Sequence, residues 1–227
     1  MKSDMKLISV NVGLPRVVMS NGDPVSTGIF KEPVASRVML RTLNLDGDRQ
    51  ADLSVHGGPS KAVYAYPSEH YNYWKRELPD IELPWGMFGE NFTTAGLFEG
   101  ELSIGDKFRV GSAVVVVTEP RMPCYKLALK FGRPDMIKRF LASERTGFYF
   151  AVLREGDVGA GDPIELMEGI KDGLRVSDIT HLYTREKHNA GMLRRAIDVE
   201  ALPESWRSYF QHRLAKLTGP SGLTRAR

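Results

Sequence analysis

The apolar positions of this chain follow two regimes. Through the first two-thirds they alternate over short runs, and near Gly173 the alternation stops. "KLISVNVG" sets Val10 and Val12 against Ser9 and Asn11, the period of two expected of a half-buried strand. "SRVMLRTLNLDGDRQADLSVH" holds two strand-like runs around Asp46-Gly47, a dipeptide that predicts a hairpin. "ELSIGDKFRVGSAVVVVTEP" adds three runs broken at Gly105-Asp106 and Gly111-Ser112. Its β-branched stretch from Val114 to Val117 reads as a buried strand. "FYFAVLREGDVGAGDPIELM" ends the series with a further pair. Many short strands at near-regular spacing predict a sandwich or barrel.

Helical spacing interrupts this pattern. "SEHYNYWKREL" puts Tyr71, Trp74 and Leu78 on one face behind a candidate cap at Ser68. "YKLALKFG" and "PDMIKRFLASE" read as two short helices, the second opened by Pro134. Beyond Gly173, "VSDITHLYTREKHNAGMLRRAIDVEALPESWRSYFQHRLAKL" reads as three helices starting near Ser177, Asn189 and Leu202-Pro203. The closing "TGPSGLTRAR" reads as a loose tail.

Composition narrows the class. A chain of 227 residues makes one large domain or one domain with a small appendage. Hydrophobic residues at 42% and charged residues at 26% describe an ordinary globular protein. The net charge of +3 suits an anionic ligand but falls short of the basic stripe that nucleic acid requires. A single cysteine excludes an internal disulfide and a Cys-only zinc site. Lys6 and Pro15 leave no apolar stretch at the N-terminus for a signal or anchor, so the expectation is a cytoplasmic protein with no membrane partner.

That cysteine, Cys124, lies in "TEPRMPCYKLALKFGRP". A lone cysteine is commonly a small buried hydrophobe. Here Arg121, Lys126, Lys130 and Arg133 would favour the thiolate, the form that attacks or binds metal. In "VHGGPSK", His56 precedes Gly57 and Gly58, whose backbone would let a ligand approach, and Lys61 would supply charge for an anion. The same stretch also reads as a Gly-Pro turn with an incidental histidine. In "GMFGENFTTAGL", Asn91 has the donor and acceptor to meet a ring edge or to hold a tight turn. Lys31 in "GIFKEPV" and Arg145 in "SERTGFYF" would each, alone, read as solvated charges. No HExxH, EF-hand loop or GxGxxG occurs, and nothing specifies a Cys-His hydrolase.

Taken in order, "GIFKEPV", "LNLDGDRQADLSVHGGPSKAVYAYPSEHY", "FGENFTTAGL", "IGDKFRVGSAVVVVTEPRMPCYKLA" and "RTGFYF" resemble the MOSC family, named for the C-terminal domain of molybdenum cofactor sulfurase. The resemblance runs over roughly residues 5–168 and is nearest to the stand-alone bacterial YiiM-type subgroup. It implies a mainly β fold with helices, a MOSC β-barrel-like domain followed by a small C-terminal three-helix domain. The boundaries it implies are 1–169 for the barrel, 170–218 for the helices and 219–227 for the tail. It also implies binding of the molybdenum cofactor, Mo-molybdopterin, with Cys124 of the "PRxPCxKL" motif as metal ligand. Lys31, His56, Gly57, Gly58, Lys61, Asn91, Arg121 and Arg145 become pterin, phosphate or pocket residues, and His56 a proton donor.

Proteins of this type look like reductases of N-hydroxylated compounds, including hydroxylamino purines, working by oxygen-atom transfer at a Cys-ligated molybdenum. The chain has no dinucleotide fingerprint and no iron–sulfur cysteine set, so a separate electron-donating reductase is expected as partner. An oligomer stays open. The alternatives are a carrier of the cofactor or of sulfur as a persulfide on Cys124, and a regulatory module whose helices contact a partner.

Overall fold

The computed structural model describes residues 4–20, 22–52 and 57–219. Strands dominate up to Glu168. β1 (Lys6–Val12) is followed by a hairpin of β2 (Arg16–Ser20) and β3 (Asp23–Thr27), then by β4 (Glu32–Pro33) and β5 (Val38–Leu40). A 3₁₀ turn at Pro59–Lys61 leads into β6 (Val63–Pro67), α1 (Glu69–Glu77), β7 (Phe92–Ala95), β8 (Lys107–Val110) and β9 (Ala113–Pro120). Two short helices, α2 (Tyr125–Phe131) and α3 (Met136–Ser143), precede β10 (Phe148–Arg154), β11 (Gly156–Val158) and β12 (Ile164–Glu168). The chain then turns helical in α4 (Val176–Thr184), α5 (Ala190–Ile197) and α6 (Glu204–Thr218).

Eight strands form one sheet in the order β12-β8-β9-β10-β6-β7-β1-β4, antiparallel except at β6–β7. The sheet curls until the start of β1 meets the approach to β12. There Lys6 bridges Pro163, and the amides of Leu7 and Ile164 donate to the carbonyls of Asp162 and Met5, each at 2.9 Å. This contact is an isolated bridge rather than a ladder, so the sheet is barrel-like without being a closed barrel.

Two apolar cores follow from this curl. The larger joins β-branched and aromatic residues of the sheet, such as Val10, Val115, Val117, Phe148 and Phe150, to Val176, Ile179, Leu193 and Phe210 of the C-terminal helices. The second is aromatic. Tyr66, Tyr71, Trp74, Phe88 and Phe140 pack together beneath α1 to α3, and the Trp74 Nε1 donates to the Tyr66 hydroxyl at 2.7 Å. The predicted Tyr71–Trp74–Leu78 face is this buried side of α1.

Two sequence-based expectations need correcting. Asp46-Gly47 makes a turn, yet no hairpin forms around it among the described residues, and positions 53–56 of the expected second run lie outside them. β5 pairs with β11, and Leu40 bridges Leu45. Asp48, just after the turn, pairs with the Lys31 ammonium. β1 is also not half-exposed, because Ser9 and Asn11 are buried with Val10. Their polar face is covered by an internal hydrogen-bonded network in which Ser9 Oγ donates to Asn11 Oδ1 at 2.8 Å and Asn11 Nδ2 donates to Thr93 Oγ1 at 3.1 Å.

Of the three C-terminal starts, Asn189 caps as expected, its Oδ1 accepting from the Met192 amide at 3.1 Å. α4 begins at Val176, and Asp178 accepts from the Arg175 amide at 2.8 Å. α6 begins at Glu204 immediately after Pro203. No helix among the described residues is long and apolar enough to cross a membrane.

Candidate functional site

The turns at one end of the sheet leave a cleft of about 660 Å³, its open mouth included. Lys31, Gly57, Lys61, Asn91, Arg121 and Cys124 all line it, so four separate sequence stretches converge on one place. Gly58 sits beside them at φ 88° but is not among the lining residues. Arg145 is placed elsewhere. Its guanidinium lies 4.0 Å from the centroid of Tyr73 on α1 and donates to the Ser143 carbonyl at 2.9 Å. His56 lies outside the described residues.

One wall is closed by paired charge. Lys31 Nζ makes an ion pair with Asp48, whose carboxylate is fully buried. That carboxylate also accepts from the Gly13 amide at 2.9 Å and from Asn91 Nδ2 at 2.9 Å. Asn91 Oδ1 in turn accepts from the Tyr64 amide at 3.2 Å, and its Nδ2 donates to the Asn11 carbonyl at 3.2 Å. The Asn91 amide is therefore engaged within the protein at both ends, and it fixes β1 against β6. Burial pulls the Lys31 ammonium below its ordinary value, and the facing Asp48 works against that.

The opposite wall is built by the segment leaving β9. Pro120 and Pro123 hold it extended, and Cys124 stands immediately before the first turn of α2 with φ −117° and ψ 173°. Arg121 is only 5% exposed, its guanidinium 5.1 Å from the ring centroid of Tyr64 and 5.2 Å from that of Phe140. Its Nη1 has no hydrogen-bond partner among the described residues. Tyr149, at the same wall, is pushed up to about 12 by burial, an effect that Arg121 opposes. A buried polar atom without a partner is uncommon in native proteins and calls for an explanation, such as a bound water, an ion or a ligand.

Lys61 occupies the rim. Its Nζ is 3.8 Å from the buried Glu119 carboxylate, which also accepts from Ser60 Oγ at 3.2 Å and from Trp206 Nε1 at 2.6 Å. Burial raises the Glu119 carboxyl above its usual range, while Lys61 counters it. Gly57 takes φ 87°, a left-handed conformation, and a Cβ there would come within 3.1 Å of the Gln50 side chain. Glycine thus keeps this edge of the cleft open.

Several lining residues were not singled out from sequence. Lys126 of α2 was legible only as a charge near Cys124, and Tyr64, Met122 and Tyr149 carry no signal that separates them from core residues. The lining includes four cationic side chains, Lys31, Lys61, Arg121 and Lys126, and no carboxylate among the described residues. A thiol, an unpartnered guanidinium nitrogen and an excess of positive charge suit a ligand that is anionic and carries a thiophilic centre.

Comparison with known proteins agrees with this description. The family model described as MOSC domain matches residues 52–165, and the one described as YiiM-like, 3-alpha helix domain matches residues 176–217. The uncharacterized protein YflK of Bacillus subtilis is 43% identical over 93% of this chain and 95% of its own length. The crystal structure of YiiM from Geobacillus stearothermophilus superposes with a TM-score of 0.79 at 37% identity, covering 93% of this chain and all of that one. A Gibberella moniliformis protein named Reductase is 34% identical over 65% of this chain, a match that takes up 27% of the fungal protein.

Proposed function

Because this chain belongs to the MOSC family and carries the YiiM-like helical domain, we propose that its cleft holds the molybdenum cofactor and that the protein reduces N-hydroxylated compounds such as hydroxylamino purines. The observation that carries this reading is the buried Arg121 Nη1, which has no partner among the described residues, in the lining of a cleft that also holds the chain's only thiol and, among those residues, no carboxylate. The name of the fungal relative supports a reductase.

Each part of the donor set has a task in this reading. Cys124 supplies a soft sulfur to the metal. Arg121, Lys61 and Lys126 hold the anionic parts of the cofactor through charge-assisted hydrogen bonds. Lys31, neutralised by Asp48, shapes the wall of the cleft rather than its charge. When bound, the cofactor supplies the two electrons that convert R–NHOH to R–NH₂ and water. The protein's part is to orient the substrate and deliver two protons. His56 is the candidate donor because an unperturbed imidazole titrates near neutral pH. The electrons come from a separate reductase.

The test is turnover of an N-hydroxy compound with a chemical reductant, by wild type and Cys124→Ser expressed where the cofactor is made. Wild type should turn over, and the variant should fold yet fall to background. Wild-type rates in the variant would contradict the ligand role. A persulfide mass shift on Cys124 in a wild-type protein with no turnover would point to the carrier instead.

A further inference from the structure

The C-terminal helices open a second hollow beside the cleft. It is lined by Tyr183 of α4, by Ser205, Trp206 and Tyr209 of α6, and by Met122, and it encloses about 440 Å³ with its mouth. Met122 lines the cleft as well, and it stands two residues before Cys124. The two cavities therefore share a wall at the thiol-bearing segment.

Their chemistry differs. Among the described residues no charged side chain lines the hollow itself, the nearest cation at its rings being Arg213, 5.5 Å from the Tyr209 centroid, whereas cations crowd the cleft. Tyr183 lies 5.4 Å from Trp206 and 5.4 Å from Tyr209 between ring centroids, at interplanar angles of 72° and 43°. Tyr183 is 36% exposed and Tyr209 37% exposed, so these rings present apolar surface to solvent that Phe210, fully buried on the same helix, does not. Trp206 is held in place because its Nε1 donates to Glu119. A rigid aromatic wall with hydroxyls at its edge suits a neutral, planar ring, which gains by stacking and finds hydrogen-bond partners at its rim.

We infer that this hollow is the substrate-recognition subsite, stacking a planar heteroaromatic ring on Tyr183, Trp206 and Tyr209 so that an exocyclic N-hydroxy group reaches past Met122 toward the cleft. The helical domain is then part of the specificity apparatus. The subsite's role in catalysis rests on the reading of the cleft given above; its binding of a planar ring does not.

The experiment compares the full-length wild type with Tyr183→Ala/Tyr209→Ala and Tyr183→Phe/Tyr209→Phe. Adenine, a planar base with no N-hydroxy group, is titrated in ligand-observed NMR. Saturable binding by wild type is expected to weaken roughly tenfold in the alanine variant and to persist in the phenylalanine variant, which keeps both rings. In turnover, the alanine variant should lose about tenfold in kcat/KM for a hydroxylamino purine relative to hydroxylamine, through KM and at unchanged molybdenum content. No saturable adenine binding, equal affinity in wild type and the alanine variant, or an unchanged substrate ratio overturns the subsite. Ring-dependent adenine binding by a wild type that never acquires molybdenum upholds the binding site and sinks the reading of the cleft.

Discussion

Two of the buried cations that line the cleft, Lys31 and Arg121, are treated in opposite ways. The Lys31 side chain, 8% exposed, is locked to a buried carboxylate that also draws in Gly13 and Asn91. Arg121, 5% exposed, rests between aromatic faces with one nitrogen lacking any partner among the described residues. Burying a charge is tolerable only when something compensates it. At Lys31 the compensation is internal, so that wall is architecture. At Arg121 the neighbours are tyrosines rather than a carboxylate, and Nη1 keeps no partner among the described residues, which is what the proposed role of this wall in anion binding rests on.

The largest effect should come from breaking the paired wall. Asp48→Ala would strand Lys31 and remove the acceptor for Asn91, at a cost of about 3–5 kcal/mol in denaturant unfolding. A loss under ~1 kcal/mol would mean that the pair does not organise this wall.

Lys130 sharpens the comparison, because its direct hydrogen-bond acceptors are carbonyls and its carboxylate, Glu90, acts only through the field. Its ammonium donates to Ile29 and Gly86 at 3.0 and 2.6 Å, and burial lowers it from 10.5 to about 8. Between those two values the unfolded chain keeps a proton that the folded chain has released. Its contribution to stability therefore rises with pH through that window, by a few kcal/mol at most, and acts against the fold below about pH 8. Melting curves across the window should show this rise in wild type and a flatter profile in Lys130→Met. Identical profiles would remove Lys130 from the account.

A smaller change is expected at the binding wall. Arg121→Met should stay within about 1 kcal/mol of wild type, since the lost ring contacts are offset by relief of an uncompensated buried charge. A loss above ~3 kcal/mol would make Arg121 architectural like Lys31. The smallest change should be Glu119→Gln. An amide keeps its one oxygen as the acceptor for Trp206, the Ser60 hydroxyl can turn to accept from the amide NH₂, and the ion pair it removes reaches a Lys61 side chain that is 29% exposed, so the melting shift should correspond to under ~1 kcal/mol.

β1, β5, β8 to β10, α1 to α3 and the C-terminal helices were legible because each carries its own period, Val114 to Val117 for β9, and Tyr71 and Trp74 for α1, whereas β2, β3, β6 and β7 were not singled out. Asp46-Gly47 signalled a turn, and a turn is there, but the strand before it, β5, finds its partner in β11, a pairing distant in sequence that local turn chemistry cannot announce. Ser9 and Asn11 were misassigned to solvent for a related reason. Their partners come from β7 and the segment before it, and a strand's own alternation carries no trace of a polar network on its far side. At the site, cysteine, paired glycines and lysines stood out by residue type. Tyr64, Met122 and Tyr149 did not, because an aromatic or methionine in a strand or loop has the same sequence appearance whether it faces a core or a cleft. Arg145 shows the converse, a charge in a suggestive motif that stacks on Tyr73.

The central claim is that Cys124 and Arg121 hold an anionic molybdenum cofactor in this cleft. Its most direct test is the molybdenum and pterin content per chain of wild type, Cys124→Ser and Arg121→Met, purified in parallel from a host that makes the cofactor. The account predicts both components in wild type, a loss of metal with part of the pterin retained in Cys124→Ser, and a loss of both in a folded Arg121→Met. Wild-type protein with neither component, or an Arg121→Met protein carrying both at the wild-type level, would contradict it.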